Sequence, residues 1–155
     1  SDIEINIFDL KDIALFNEDL EAKVPDAVVA FRDAIAKSDA MLIAAPEYSR
    51  SYSGVLKNAL DWASRKYDNF KPLEGKPVAY MGASPSGFGS ARSQNQLKGL
   101  LTTLGMHVYN GGVEVMVSKA DEQFDERGGL KDERLKQGVR DLLVGLRDWT
   151  KRLST

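Results

Sequence analysis

The stretch Met41 to Ala45 is apolar on both of its alternating faces, and the polar run Pro46-Glu-Tyr-Ser-Arg-Ser-Tyr-Ser-Gly54 follows it directly. A strand without a wet face belongs in the middle of a parallel sheet, covered by helices on either side. Its carboxyl end releases the chain into a loop, and beyond that loop Leu56, Ala59, Leu60 and Ala63 repeat at helical spacing. Ser53 stands where a helix cap is expected, and Gly54 allows close approach of a backbone or ligand. A helix start carries unpaired N–H groups and partial positive charge, so this turn suits an anionic or electron-rich ligand. Spacing alone leaves a plain capped helix equally open.

The rest of the chain repeats the theme. Ile3 to Phe8 alternates and reads as a first strand, and Asp26 to Lys37 places Val28, Phe31 and Ile35 on one helix face. Pro77 to Gly82 is a further strand and leads into Ser84-Pro-Ser-Gly-Phe-Gly-Ser90. Leu97, Leu100, Leu101 and Leu104 mark a helix that Gly105 stops. Val113 to Val117 supplies a fourth strand, a charged loop spans Ser118 to Lys131, and Leu135, Val139, Leu142, Leu143, Leu146 and Leu153 stripe a long final helix. The pattern βαβαβαβα predicts an α/β fold, an open parallel sheet with helices on both faces. Its functional loops, Pro46 to Gly54 and Ser84 to Ser90, should share one crevice.

With 155 residues, 43% apolar and 28% charged, one domain spanning 1–155 is expected. The net charge of -2 and the absence of a basic block argue against a nucleic-acid partner. No cysteine is present, which excludes disulfides and thiolate chemistry, and the single histidine, His107, is read as structural rather than as a zinc ligand. No apolar run reaches membrane-spanning length, so no membrane association and a cytoplasmic location are expected.

Familiar catalytic patterns fail. Gly87-Phe-Gly89 is followed three positions later by Arg92 where a dinucleotide fingerprint needs glycine, and Gly75-Lys76 lacks the preceding glycine of a phosphate-binding P-loop. Ser51 and Ser84 have only His107 as an imaginable base and no nucleophile elbow. The two loops offer N–H groups, hydroxyls, Tyr48 and Arg50, a lining suited to a flat polar cofactor that brings its own reactivity, such as an isoalloxazine. An ordinary exposed loop remains an alternative on these residues alone.

The wording of the residues adds more. Ala45-Pro-Glu-Tyr-Ser-Arg-Ser-Tyr-Ser-Gly-Val-Leu-Lys-Asn-Ala-Leu-Asp-Trp62 resembles the Pro-Glu-Tyr-Asn-x-Ser-x-Pro-Gly-x-Leu-Lys-Asn-Ala-Ile-Asp-Trp signature of the NADPH-dependent FMN reductase family, which has a flavodoxin-like fold. Gly82 to Leu97 is similar to that family's second flavin loop, and the resemblance runs from Ile3 to about Trp149. It implies FMN with its ring against Pro46, Glu47, Tyr48 and Ser49 on one side and Ser84, Pro85, Ser86 and Gly87 on the other, with Arg50 and Ser51 near its edge. NADPH or NADH would be co-substrate, a quinone, flavin, azo dye or metal oxyanion the small-molecule acceptor, and no side chain need act as acid or base. A homodimer or homotetramer is the implied assembly. The alternatives are a flavodoxin-like electron carrier, which would ordinarily be more acidic, and an interaction module without FMN.

Three positions depart from the signature: Ser49 for Asn, Ser53 for Pro, and Ser86 for a Gly of the second loop. In addition, the chain opens at what resembles the family's second strand, without its phosphate-gripping loop. Three explanations stay open: a leading βα unit of roughly thirty residues before Ser1, a rearranged sheet, or a strand from another chain. The first is expected, and a chain complete as it stands is expected to bind FMN poorly.

Overall fold

The computed structural model describes residues 2–67 and 69–155. Four parallel strands form its sheet: β1 (Met41–Ala44), β2 (Pro77–Ala83), β3 (His107–Val108) and β4 (Met116–Val117). The helices are α1 (Asp26–Lys37), α2 (Gly54–Ser64), α3 (Ala91–Thr103), α4 (Ala120–Gln123) and α5 (Glu133–Leu153), with a 3-10 turn at Glu18–Lys23. Strand β2 is the hub. It pairs with β1 along one edge, Met41 opposite Val78 through Ala44 opposite Met81, and with β3 and then β4 along the other.

The alternation of side chains along β1 and β2 divides the interior in two. Ile43 and Val78 face Phe31 and Ile35 of α1, Leu56, Leu60 and Ala63 of α2, and Leu97 and Leu101 of α3. Ala79, with Leu42 and Met81 at its margin, faces Val115, Val117 and the α5 stripe Leu142 and Leu146. Helices therefore cover both faces, as the βα alternation predicts.

Two strand assignments need correction. Ile3 to Phe8 has no regular secondary structure and enters no ladder among the described residues. Alternation specifies an extended chain with two unlike sides; a strand also needs a neighbour to take its N–H and C=O groups. Instead Asp2 pairs with Arg147 and Lys151 of α5, Phe8 packs on Phe31 with ring centroids 5.1 Å apart, and Ile7 is 94% exposed. The second correction concerns Val113 to Val117, of which only Met116 and Val117 are strand, while His107–Val108 forms a strand the periodicity missed. The Tyr109 N–H donates to the Val78 carbonyl and the Gly82 N–H to that of Val115, so the chain leaves the edge of β2 after residue 109 and returns at 115. Strand β1 also differs from its reading as a fully covered central strand. Among the described residues it pairs with β2 alone, Leu42 is half-buried and Ala44 is exposed.

The four longer helices follow their sequence signals closely, whereas the four-residue α4 lies inside Ser118 to Lys131, which the sequence reads as a loop. Ser53 caps α2, its hydroxyl accepting from the Leu56 N–H at 3.2 Å. Asn58 and Trp62, one turn apart on α2, secure the segment before α1: the Asn58 amide and the Trp62 indole N–H both donate to the Ala14 carbonyl, and the Asn58 carbonyl oxygen accepts from the Phe16 N–H. Gly105, at φ +78°, ends the α3 segment in the left-handed conformation.

Candidate functional site

Because β1 and β2 are adjacent and parallel, the loops leaving their carboxyl ends emerge side by side. The Ala45 N–H donates to the Met81 carbonyl at 2.8 Å, so the pairing persists to the first residue of the loop. Gly82 makes the close approach possible: a Cβ there would lie 2.1 Å from the Ala45 carbonyl oxygen and 2.3 Å from Ser90 Oγ. Pro46 to Ser51 and Ser84 to Gly87 thus meet at one end of the sheet, as the sequence predicts.

The first loop is a tight reversal. Tyr48 and Ser51 exchange both backbone hydrogen bonds at 2.9 Å, and the two residues between them, Ser49 and Arg50, have φ of +48° and +65°. Positive φ at both central positions is the mark of a type I′ turn, for which Asn-Gly is the favoured pair. Ser and Arg hold it against a steric preference for right-handed backbone.

Helix α3 supports that turn through three residues of its first two turns. The Glu47 carboxylate accepts from the Arg92 and Ser93 N–H groups at 3.0 and 3.4 Å and pairs with the Arg92 guanidinium at 3.0 Å. Ser93 Oγ donates to the Pro46 carbonyl at 3.0 Å. Gln96 Oε1 accepts from Ser51 Oγ at 2.7 Å while its Nε2 donates to the Arg50 carbonyl at 3.0 Å. The Glu47 side chain is only 6% exposed. Desolvation pushes its carboxyl pKa up, yet the Arg92 guanidinium and the Ser93 and Arg92 N–H groups outweigh this and hold it below its ordinary value. The same guanidinium lies 4.6 Å from the centre of the Phe88 ring, so Arg92 touches both loops.

The second loop is pinned from the other side. Ser84 is buried; its N–H donates to the Val117 carbonyl and its own carbonyl accepts from the Ala120 N–H. The Ser86 carbonyl accepts from Gly89 and Lys119, and the Ser86 N–H reaches Ser84 Oγ at 3.3 Å. Buried Gln94 ties α3 to the chain before β4, donating to Ser90 Oγ and the Val115 carbonyl.

All ten residues singled out from the sequence therefore lie on two neighbouring, braced loops. Their chemistry fits an electron-rich flavin ring. The N–H groups of Glu47, Ser49, Arg50 and Gly87 donate to no acceptor among the described residues, Tyr48 is 64% exposed, and the space where Gly87 would carry a Cβ is open. No His, Asp or Glu side chains among the described residues cluster as a metal site. A cavity of about 320 Å³ lies beside α3, lined by Tyr80, Gln94, Lys98, Tyr109 and Glu114 among others, and includes none of the ten. Sequence reading missed Arg92, Ser93 and Gln96 as supports. Glu47, the one acid of the Pro46 to Gly54 loop, and the i, i+4 spacing of Arg92 and Gln96 were the available signals.

Comparison with known proteins places these features in context. The family model for NADPH-dependent FMN reductase matches residues 1–122. The chain is 43% identical to an NAD(P)H-dependent FMN reductase of Pseudomonas aeruginosa, covering 97% of this chain and 80% of that protein. It is 36% identical to an NADPH:quinone oxidoreductase of Arabidopsis thaliana, over 97% and 76% of the two chains. The solved structure of FerB, a flavoenzyme NAD(P)H:(acceptor) oxidoreductase of Paracoccus denitrificans, superposes with a TM-score of 0.82 at 34% identity, covering 92% of this chain and 78% of that one.

Proposed function

The chain belongs to the NADPH-dependent FMN reductase family, and from that premise we propose that its two braced loops hold FMN and that it passes electrons from NADPH or NADH to a small-molecule acceptor of the quinone type. The observation that carries the reading is the set of unspent N–H donors on paired loops at the carboxyl ends of adjoining parallel strands. Pro46, Glu47, Tyr48, Ser49, Arg50 and Ser51 form one wall in this reading, and Ser84, Pro85, Ser86 and Gly87 the other.

The chemistry supplied by bound FMN is acceptance of a hydride and delivery of two electrons. The protein's part is to bind, orient and stabilise charge. Backbone N–H groups of Glu47, Ser49, Arg50 and Gly87 favour negative charge beside them, as fixed donors do at an oxyanion hole. Glu47 supplies no proton at neutral pH, since its carboxylate is held ionised against Arg92 and the start of α3. Protons needed by a reduced acceptor come from solvent. Residues 1–155 act as one flavodoxin-like unit, and a homodimer or homotetramer in the cytoplasm accords with the reading; among the described residues no helix is long and apolar enough to cross a membrane.

Anaerobic mixing of the FMN-loaded protein with NADPH tests this. Visible flavin absorbance should bleach rapidly and return on addition of a benzoquinone. Bleaching that needs a partner protein would indicate an electron carrier, and failure to bind FMN would remove the proposal.

A further inference from the structure

We infer that Gln96 is a positioning residue that keeps the Ser49–Arg50 turn in its left-handed form, so that the turn meets a flavin ring already shaped. The inference rests on three observations. First, the turn carries positive φ at two successive residues with side chains, and neither Ser nor Arg favours that region. Left to itself such a turn relaxes, because an unsupported non-glycine residue gains by leaving the left-handed region. Second, the two cross-turn bonds between Tyr48 and Ser51 close the loop but restrain neither of the residues between them directly. Third, Gln96 meets the turn at both of its available groups: Nε2 holds the carbonyl of Arg50, the second left-handed residue, and Oε1 holds the hydroxyl of the next residue, Ser51.

Glu47 and Ser93 anchor the approach to the turn at residues 46 and 47, and Gln96 anchors its exit. Between these anchors, Tyr48 and Ser49 make no hydrogen bond to α3. The N–H groups of Ser49 and Arg50 stay unspent. Their direction follows the backbone angles of the turn, so a support that fixes those angles also fixes where the donors point. Gln96 is exposed and sits on the second turn of α3, where alanine is a good helix former. Its removal therefore separates support of the turn from support of the fold.

The part of this inference that concerns FMN rests on the function proposed above, and the experiment keeps the two apart. Amide hydrogen exchange is measured at Tyr48 and Ser51 in flavin-free protein, and FMN dissociation constants are measured by visible absorbance, for the native chain, Gln96→Ala, Ser49→Asn, and the two together. Gln96→Ala should raise exchange at both amides and weaken FMN on the order of tenfold, the size of two lost hydrogen bonds. Ser49→Asn in the Gln96→Ala background should restore most of both, because Asn tolerates the left-handed region that Ser resists. Unchanged exchange in Gln96→Ala, or no recovery with Ser49→Asn, would overturn the positioning role. Native protein that binds no FMN would defeat the functional proposal instead, leaving the exchange result to judge the turn.

Discussion

Glu47 shows how one side chain is committed by its surroundings. An acid in a loop that faces a ligand is an obvious candidate to touch it, yet both oxygens of this one are occupied by α3. The carboxyl is depressed below its ordinary value of 4.5, so its ionised form is favoured by folding. Stabilisation from this group is fully present above that value and is lost as pH falls through the lower folded pKa. Glu47→Gln should therefore lower the thermal midpoint by a constant amount from about pH 7 to 5, with the gap from the native chain closing below about pH 4. A gap that persisted undiminished in acid would mean the carboxylate charge is not what binds the loop to α3. Gly82 makes the complementary point. It is needed for absence of a side chain, because the space its Cβ would take is filled by the Ala45 carbonyl and Ser90.

At the level of elements, α2 is where local signals and structure agree best. Ser53 caps it, its apolar stripe is buried, and Lys57 pairs with Asp61 one turn on. Ser53→Ala should cost about 1 kcal/mol of unfolding free energy, measured by urea denaturation, by leaving the Leu56 N–H without its acceptor. The conspicuous Asn58 and Trp62 of the signature prove to hold residues 14 to 16 rather than to face the two loops. A motif can thus be specific to a family while part of it serves packing. Strand β2 shows the limit of local reading. Six of its seven residues, Pro77 to Gly82, were legible as a strand, but that it would serve four-stranded pairing as the hub, with β3 and β4 sharing one edge, depends on chain far away.

Across the whole molecule, the start of the chain is tied to its last helix. Asp2 binds Lys151 and Arg147, which hold its carboxyl down at about 2. These pairs are exposed, so salt should weaken them: near 1 M the screening length falls to roughly 3 Å. Residues 3 to 9 should then become more susceptible to limited proteolysis, Asp2→Asn should reproduce this at low salt, and the thermal midpoint should move little. Cleavage insensitive to salt and to Asp2→Asn would show that apolar contacts such as Phe8 on Phe31 hold the segment alone.

The four longer helices, the Ser53 cap, the parallel βα alternation and the placement of the ten candidate residues on two loops could be read from the chain because each depends on neighbours within a few positions, where spacing and side-chain type are sufficient. The family signature was legible for the same reason, being one nearly continuous stretch from Ala45 to Trp62. Pairing was not. Ile3 to Phe8 has a strand's alternation yet enters no ladder among the described residues, and His107–Val108 is too short to show a period at all. Only the tertiary structure brought Glu47 to Arg92 across 45 positions and Arg50 to Gln96 across 46. It also decided that Ser49 and Arg50 are left-handed, since neither residue asks for that conformation and what accompanies it, the Tyr48–Ser51 pairing and the Gln96 hydrogen bonds, is made by other residues.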